Sequence, residues 1–403
     1  MKRFIILALK FIAGILLTAF TLFSLFSVSP IYDFEKPKPF EGPNIFNPYS
    51  NLDTTLGWKR ANFHTHTKVK GWFNECDYWP DEVLRYYRDF GYYIVTFSNH
   101  NEITTHPTDP RLQVNVYEHG YSLFKYHKLV FGCKKVWYFD NFLPFLASQR
   151  QWQMDVLGRQ SDFIQLNHPF RTNFTTRRIM ENLSGYRITE LDSGVSTEQD
   201  YWDWSLSSGY YTFGLANDDL HKPDRSDLFA IRCNWLNIGN DTYEAIRQKL
   251  LEGTYYSMRV PDFGNGNWNI KRSKNAGLPR IDDIGLRGDT VYLCLSRPAQ
   301  VKIYGQDHSL KALHENADTI LYVMGAEEPY IRFQAHYEDG TIIYTNPFAR
   351  YDAAKADTPY EPKEHKVNWP LTVLFNMAVL LLAFFWVWLF VKMCRHRVKS
   401  GKQ

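Results

Sequence analysis

The sequence predicts an α/β protein with a mainly parallel sheet, either open or closed into a barrel, a small all-β region after it, and an apolar segment at each end. Three observations predict this class. Strand-like and helix-like patterns alternate from about residue 60 to 255, short strands with turn signals replace them beyond residue 280, and residues 11–28 and 371–391 carry no charge.

The first apolar segment is typical of a membrane anchor. Eighteen helical residues, the length of the run 11–28, rise about 27 Å, close to the thickness of the hydrocarbon core. A cleaved signal peptide with "SVS" as its cleavage site is the competing interpretation. The length of the run and the proline that follows it favour an uncleaved anchor over residues 1–29.

Two proline-rich stretches flank the central part of the chain. Residues 30–57 contain prolines at positions 30, 37, 39, 43 and 48, and a shorter stretch covers 357–369. Such sequences favour extended polyproline-like backbone. We therefore expect both to be stalks.

Residues 58–260 have the pattern of an α/β domain. Pro80 begins a helical pattern that ends at Gly91, and the β-branched and aromatic run "YYIVTFS" follows. The alternation returns around "DFIQLNHP", "YRITELD" and "YYTFGLANDD". Residues 261–356 contain short strand-like runs instead, with "EDG" as a hairpin signal, and predict a β-rich appendage.

The second apolar segment, 370–392, predicts a transmembrane helix, and 393–403 form a basic tail. Positive residues flank both segments on the terminal side, which places both termini in the cytoplasm and the domain between them outside. The flanking residues are Lys2, Arg3, Lys10, Lys392, Arg395, Arg397, Lys399 and Lys402.

Composition excludes several classes. The net charge is only +3, so no basic face argues for a nucleic-acid polymer as partner. The five cysteines form no CxxC pair, which excludes a zinc ribbon and a thioredoxin-like redox motif.

Histidines and acids recur where the predicted strands end. Parallel strands in α/β proteins gather their carboxyl ends at one edge, where active sites lie. Imidazole and carboxylate groups on one edge are ligands for zinc, manganese or iron. The residues at these positions are His64, His66, His100, His168, Asp219 and His221.

Five short motifs resemble, in order, those of the PHP domain, named after polymerase and histidinol phosphatase: "FHTHT", "TFSNHN", "VYEHG", "NHPF" and "NDDLH". The resemblance covers about residues 58–255 and implies a distorted (β/α)7 barrel with metal-dependent phosphoesterase activity. By motif, it implies that His64, His66 and Asp219 bind a first metal, that Glu118 bridges two metals, and that His127 and His168 complete the second site. His100 and His221 match positions that hold a third ion in many members.

Two departures from the family pattern concern a third metal. Asn99 stands where the family usually has Asp before the histidine of the second motif, and "TKVKGWF" after His66 lacks the His or Asp that commonly completes the third site. We therefore expect two tightly held ions. Asp192, on the same edge, could support a ligand or itself bind a metal, and Asp218 is expected to form a turn or to support a ligand.

A pair of cations would lower the pKa of a shared water, so that hydroxide is available to attack phosphorus. Glu118 and Asp219 belong to that machinery, and Arg171 is placed to give a bidentate contact to phosphate. Lys68 and Lys70 could act likewise. Each of these three basic residues could also simply face solvent.

Three functions stay open on the sequence alone. The first is a membrane-tethered extracytoplasmic phosphoesterase acting on a phosphorylated small molecule, glycan or lipid head group. The second is a metal-dependent hydrolase of carboxylic or carbamate esters, since nothing in the ligand set prevents a carbonyl substrate. The third is a non-catalytic binding or scaffold module with a vestigial site.

Overall fold

The computed structural model describes residues 2–71, 74–194, 196–197 and 200–395. Arg397, Lys399 and Lys402, on which the predicted orientation partly rests, lie outside the described residues. The described chain is a mixed α/β protein with a long apolar helix at each end, as the sequence predicts. Its helices are α1 (Lys2–Leu25), α2 (Pro80–Asp89), α3 (Ala147–Gly158), α4 (Arg177–Asn182), α5 (Asp200–Ser207), α6 (Tyr243–Glu252), α7 (Trp268–Ala276) and α8 (Trp369–Arg395).

Two main sheets form the body of the molecule. The strands are β1 (Tyr32–Asp33), β2 (Asn44–Phe46), β3 (Trp58–Asn62), β4 (Tyr92–Val95), β5 (Val116–His119), β6 (Lys128–Phe131), β7 (Phe163–Leu166), β8 (Ile188–Ser193), β9 (Ser196–Thr197), β10 (Phe213–Asn217), β11 (Arg232–Asn237), β12 (Tyr255–Arg259), β13 (Ile281–Arg287), β14 (Thr290–Gly305), β15 (Ser309–Val323), β16 (Tyr330–His336), β17 (Ile342–Thr345), β18 (Phe348–Tyr351) and β19 (Lys366–Val367).

The smaller sheet has the strand order β5-β6-β7-β8-β10, and the larger runs β13-β14-β16-β17-β12-β11-β3-β4. The prediction of a mainly parallel arrangement is wrong. Within these two orders only β3–β4, β7–β8 and β8–β10 are parallel. Strand β6 runs antiparallel to both of its neighbours, and so does β11.

The described strands do not close into a barrel, so the predicted (β/α)7 barrel is not confirmed. The two sheets nevertheless enclose a shared core, to which Phe63 and Ile94 contribute from one side and Phe131 and Ile188 from the other. Between β4 and β5 the connection is the single bridge His100↔Glu118. Between β10 and β11 the side chain of Asn234 replaces a ladder, donating to the carbonyl of Ala216 and accepting from its N–H.

The β-rich region after residue 261 continues the larger sheet. Strand β17 pairs with β12 from Tyr256↔Thr345 to Arg259↔Ile342, so hydrogen bonds cross the predicted boundary at residue 260. Met258, Ile331 and Ile343 share one buried core. The boundary itself stays a prediction.

The proline-rich stretch 30–57, predicted as an extended stalk, packs against the body. Phe40 and Tyr49 are buried, because their rings find apolar partners in the two cores. Strand β2 pairs with β18, and β1 pairs with β19 from the second proline-rich stretch.

Helices α1 and α8 lie side by side in antiparallel directions. The rings of Phe20 and Trp386 are 5.1 Å apart, and the backbone N–H of Ser29 donates to Asn376. Both helices are long and apolar enough to cross a membrane, by length and composition alone.

Candidate metal centre

Loops at one edge of the two sheets bring the predicted residues together. His64 and His66 follow β3, His168 follows β7, and Asp219 follows β10. His127 comes before β6 rather than after a strand. Because β6 is antiparallel, its amino end lies at the same edge as the carboxyl ends of the parallel strands.

Glu118 is the centre of the cluster and is 1% exposed. Both of its carboxylate oxygens face histidine nitrogens, the arrangement expected of a carboxylate that serves two neighbouring ions. Its Oε2 lies 3.2 Å from His64 Nε2, 3.2 Å from His66 Nε2 and 3.1 Å from His100 Nε2, and its Oε1 lies 3.1 Å from His127 Nδ1 and 3.3 Å from His168 Nε2.

Asp219 closes the cluster on the other side. Its Oδ1 lies 3.2 Å from Nε2 of both His64 and His66 and 3.6 Å from His221 Nε2. Its Oδ2 lies 2.5 Å from Nη2 of Arg171. Its backbone φ of +49° is a conformation that a residue with a side chain rarely adopts, and His168 is also in this region at +25°. Such local strain is concentrated at functional sites.

The ligand atoms form four overlapping groups, within each of which all atoms lie within 4.8 Å of one another. The structure therefore brings all eight predicted ligands into one cluster. The groups are His64, His66, Glu118 and Asp219; His100, Glu118 and His127; His64, His168 and Glu190; and His66, Glu75 and His221.

Glu190 was missed by sequence reasoning. It lies inside β8 and accepts from the backbone N–H of His168 at 3.0 Å and from Asn217 at 3.0 Å, and it is 3.0 Å from His64 Nδ1. A carboxylate behind a ligand histidine fixes the ring and its tautomer. The sequence signal for it was an acid two residues before the end of the motif "YRITELD", whose last residue is Asp192.

Glu75 was missed as well. It lies in the loop after His66, with Oε2 3.1 Å from His100 Nε2 and 3.5 Å from His66 Nδ1. The expectation of only two ions rested partly on the lack of His or Asp in "TKVKGWF", but the chain supplies a glutamate two residues further on.

The donor set fits divalent metal ions. Glu190 Oε1 lies 3.0 Å from His64 Nδ1, so a neutral His64 ring that donates from Nδ1 to this carboxylate has its lone pair on Nε2. That Nε2 is buried and lies 3.2 Å from a carboxylate oxygen of Glu118 and 3.2 Å from one of Asp219. A lone pair turned toward two carboxylates is repulsive, and either a proton on Nε2 or a metal cation between these atoms removes that repulsion.

The electrostatics lead to the same conclusion. Burial would raise the pKa of Glu118, but His100, His64 and His127 hold it well below its ordinary value. Burial would lower the pKa of His66, but Asp219 and Glu118 raise it to about 9. The carboxylates thus stay ionised in a buried pocket, which draws in either protons or metal cations.

Arg171 reaches the cluster through a gap that only glycine leaves. A Cβ on Gly194 would lie 2.6 Å from Nη2 of Arg171. The backbone φ of Gly194 is +54°. Arg171 is partly accessible, with 22% of its side chain exposed, while its Nε is buried and forms no hydrogen bond among the described residues. Because Nη2 pairs with Asp219, the donor capacity left for an anion lies on the exposed part of the guanidinium.

Five other residues singled out in the sequence do not join the cluster. Asp192 pairs with Arg232 and Arg259. Asp218 accepts from the backbone N–H groups of residues 230–232. Asn99 accepts from the backbone N–H of Thr67. The ammonium of Lys68 lies over the ring of Trp79. Lys70 is exposed.

Comparisons with known proteins add one distant similarity. No family model matches the chain, and no curated protein has significant sequence similarity to it. Among solved structures, the chain is similar to a two-domain protein from Bacteroides vulgatus that contains a predicted PHP-like metal-dependent phosphoesterase, with 15% identity and a TM-score of 0.38 over 78% of this chain and 100% of that chain.

Proposed function

We propose that this protein is a membrane-tethered, extracytoplasmic metal-dependent hydrolase that cleaves phosphate esters at a dinuclear site. One observation carries the proposal: six histidines from segments far apart in sequence turn ring nitrogens toward the buried carboxylates of Glu118 and Asp219. Histidines and acids with only a structural role have no reason to meet at one point.

The residues fall into two sets around the shared Glu118. His64, His66 and Asp219 would hold one ion, and His127 and His168 the other. His100, His221 and Glu75 lie beside these two sets and would be the ligands of a third ion, which the dinuclear proposal does not require. When bound, zinc, manganese or iron would supply Lewis acidity and water at a lowered pKa.

The protein's own contribution is orientation and binding of the anion. Asn167 donates to Glu118 Oε1 at 2.8 Å and keeps this oxygen turned toward His127 and His168. Glu190 holds the ring of His64. Arg171, anchored on Asp219, offers its remaining donors to a phosphate oxygen at the accessible side of the cluster.

Metal content of the purified full chain in detergent tests the first half of the proposal. We expect bound zinc, manganese or iron, and we expect His66→Ala and Asp219→Ala to lose it together with hydrolysis of 4-nitrophenyl phosphate. His314→Ala is the matched control, because this histidine lies in β15 outside the cluster.

The outcomes separate the alternatives. A chain that binds none of these metals supports the non-catalytic module. A metal-loaded chain that releases nitrophenol from 4-nitrophenyl acetate and not from the phosphate supports the carboxylic ester hydrolase. Full activity of either alanine variant contradicts the ligand assignment.

A further inference from the structure

A set of large apolar side chains outside the terminal helices is open to solvent. We call it the apolar face; its residues are Leu123, Phe142, Phe145, Leu146 and Phe174. Leu123 and Phe145 are each 64% exposed, and Phe174 is 51% exposed. Soluble surfaces rarely leave a contiguous group of such residues uncovered, and such groups mark contacts with proteins or membranes.

The apolar face is continuous with the end of α1. The ring of Phe142 lies 5.7 Å from that of Phe23 and 5.0 Å from that of Phe26. Asn141 donates to the carbonyl of Phe26 at 2.6 Å, and Gln149 donates to the carbonyl of Ser27 at 2.9 Å. The face therefore begins where the proposed membrane helix ends.

The stretch 136–149, which supplies three residues of the face, is nearly uncharged. Its single charged residue, Asp140, is buried and accepts from Tyr121 N–H and from Gln153. Arg150, which follows this stretch in the sequence, is also buried and donates to the carbonyls of Pro144 and Phe174. These bonds join two segments of the face, so its exposed side chains are held by a fixed support.

The same loops line the metal-ligand cluster. The segment from 119 to 126 connects Glu118 with His127, and the ring of Tyr121 stacks 5.5 Å from that of His100. Within this segment Phe124 stacks on Phe174 at 3.8 Å, three residues after Arg171. The face and the cluster are thus two sides of one set of loops.

We propose that the apolar face rests in the surface of the bilayer that α1 and α8 span, and that the substrate is a phosphate ester carried on a membrane lipid. The occupant is the bilayer because the face adjoins the end of a helix that would be embedded in it. Exposed aromatic side chains with a flanking lysine, here Lys125, suit the boundary between acyl chains and head groups. The substrate part rests on the proposed phosphoesterase activity.

Depth-dependent fluorescence tests the membrane contact without any activity. An environment-sensitive dye is attached at Phe145→Cys, or at Val323→Cys as control, because Val323 is 68% exposed on β15. Cys294→Ser and Cys394→Ser remove the two cysteines that are not buried. In phosphatidylcholine vesicles containing nitroxide-labelled lipid, we expect at least twofold stronger quenching at residue 145 than at residue 323. Equal quenching at the two residues overturns the membrane contact. If the dye at residue 145 is shielded from water but is not quenched by the labelled lipid, a protein surface covers the apolar face instead of the bilayer.

Two matched esters test the substrate class. One is 4-nitrophenyl phosphate, and the other is the same ester with a hexadecyl chain on the ring, incorporated into the vesicles that hold the full chain. We expect kcat/KM at least tenfold higher for the anchored ester. Phe145→Ser should remove that advantage and leave the soluble ester unchanged, whereas Phe145→Leu should keep both.

The outcomes distinguish the two proposals. If the metal-loaded chain cleaves the soluble ester and shows no advantage for the anchored one, or if Phe145→Ser slows both esters alike, the lipid substrate is wrong and the phosphoesterase stands. If it cleaves neither ester, the proposed function fails together with the lipid substrate, and the quenching experiment alone decides the membrane contact.

Discussion

At the residue scale, the site depends on acids that hold histidines. Glu190 contacts His64, the backbone of His168 and Asn217 at once, so it fixes the carboxyl ends of β3, β7 and β10 relative to one another. Asp192, on the same strand, instead neutralises two arginines away from the cluster. Two buried carboxylates of one strand thus have different tasks, set by the side chains opposite them.

Glu190→Gln is expected to lower metal affinity by about 10- to 100-fold, since supports of ligand histidines have effects of this size. Competition with a chelator during dialysis measures it. Asp192→Asn is the matched control: it should weaken the pairing of Arg232 and Arg259 and lower the melting temperature, with metal affinity unchanged. Equal metal loss in both variants would contradict the assigned role of Glu190.

A second residue-scale prediction concerns Lys128, which is fully buried between the Tyr126 carbonyl and Gln153. Burial lowers its pKa from 10.5 to about 7. Between these values the unfolded chain binds more protons than the folded one, so stability from this group rises with pH from about 7 to 10.5 and is least below pH 7.

Lys128→Met should therefore change the melting temperature in a pH-dependent way. The melting temperature of the variant should exceed that of the unaltered chain by the largest amount below pH 7. This difference should fall as the pH rises toward 10. Differential scanning fluorimetry in detergent checks this, with exposed Lys125→Met as control. A difference between chains that is constant with pH would show that Lys128 is not neutralised by folding.

At the element scale, the breaks in the hydrogen-bonded ladders shape the edge of the two sheets that holds the ligand cluster. Strands β10 and β11 are joined by the side chain of Asn234, and β10 leads directly to Asp219. The antiparallel β6 turns its amino end, and so His127, toward the same edge. Side-chain bridging and strand reversal, rather than uniform βα repetition, therefore position the ligands.

Asn234→Leu should leave the buried N–H and C=O of Ala216 without partners, at about 1–3 kcal/mol for each group. We expect a lower melting temperature and weaker metal binding, because the end of β10 can then shift. Asn51→Ala, at an exposed asparagine before β3, should change neither. If Asn234→Leu is destabilised but its metal affinity is unaltered, the hydrogen bonds between Asn234 and the backbone of Ala216 do not position Asp219.

At the scale of the whole molecule, the body is held close to its two terminal helices. Strands β1 and β19 pair, Ser29 and Ile31 bond to side chains of α8, and Asn141 bonds to the end of α1. The proline-rich stretches are thus short connectors packed on the body. This fixes which loops of the body lie beside the ends of the helices.

The proposed orientation predicts which cysteines react in intact cells. A membrane-impermeant maleimide should label Ile270→Cys, on the exposed side of α7, in a Cys294→Ser chain, and should reach Cys394 at the end of α8 only after the membrane is permeabilised. Mass shifts on gels measure the labelling. Labelling of Cys394 in intact cells, with residue 270 protected, would reverse the orientation.

The sequence by itself determined the α/β class, the apolar helices at both ends and the positions of the ligand candidates. These features follow from local patterns, such as charge-free runs and histidines that follow β-branched strands. Only the tertiary structure decided that Glu190 and Glu75 join the cluster, that β6 and β11 run antiparallel, and that Phe40 and Tyr49 draw the presumed stalk into the core. The physical reason is that each of these depends on partners distant in sequence, and no local pattern records which buried atoms will meet.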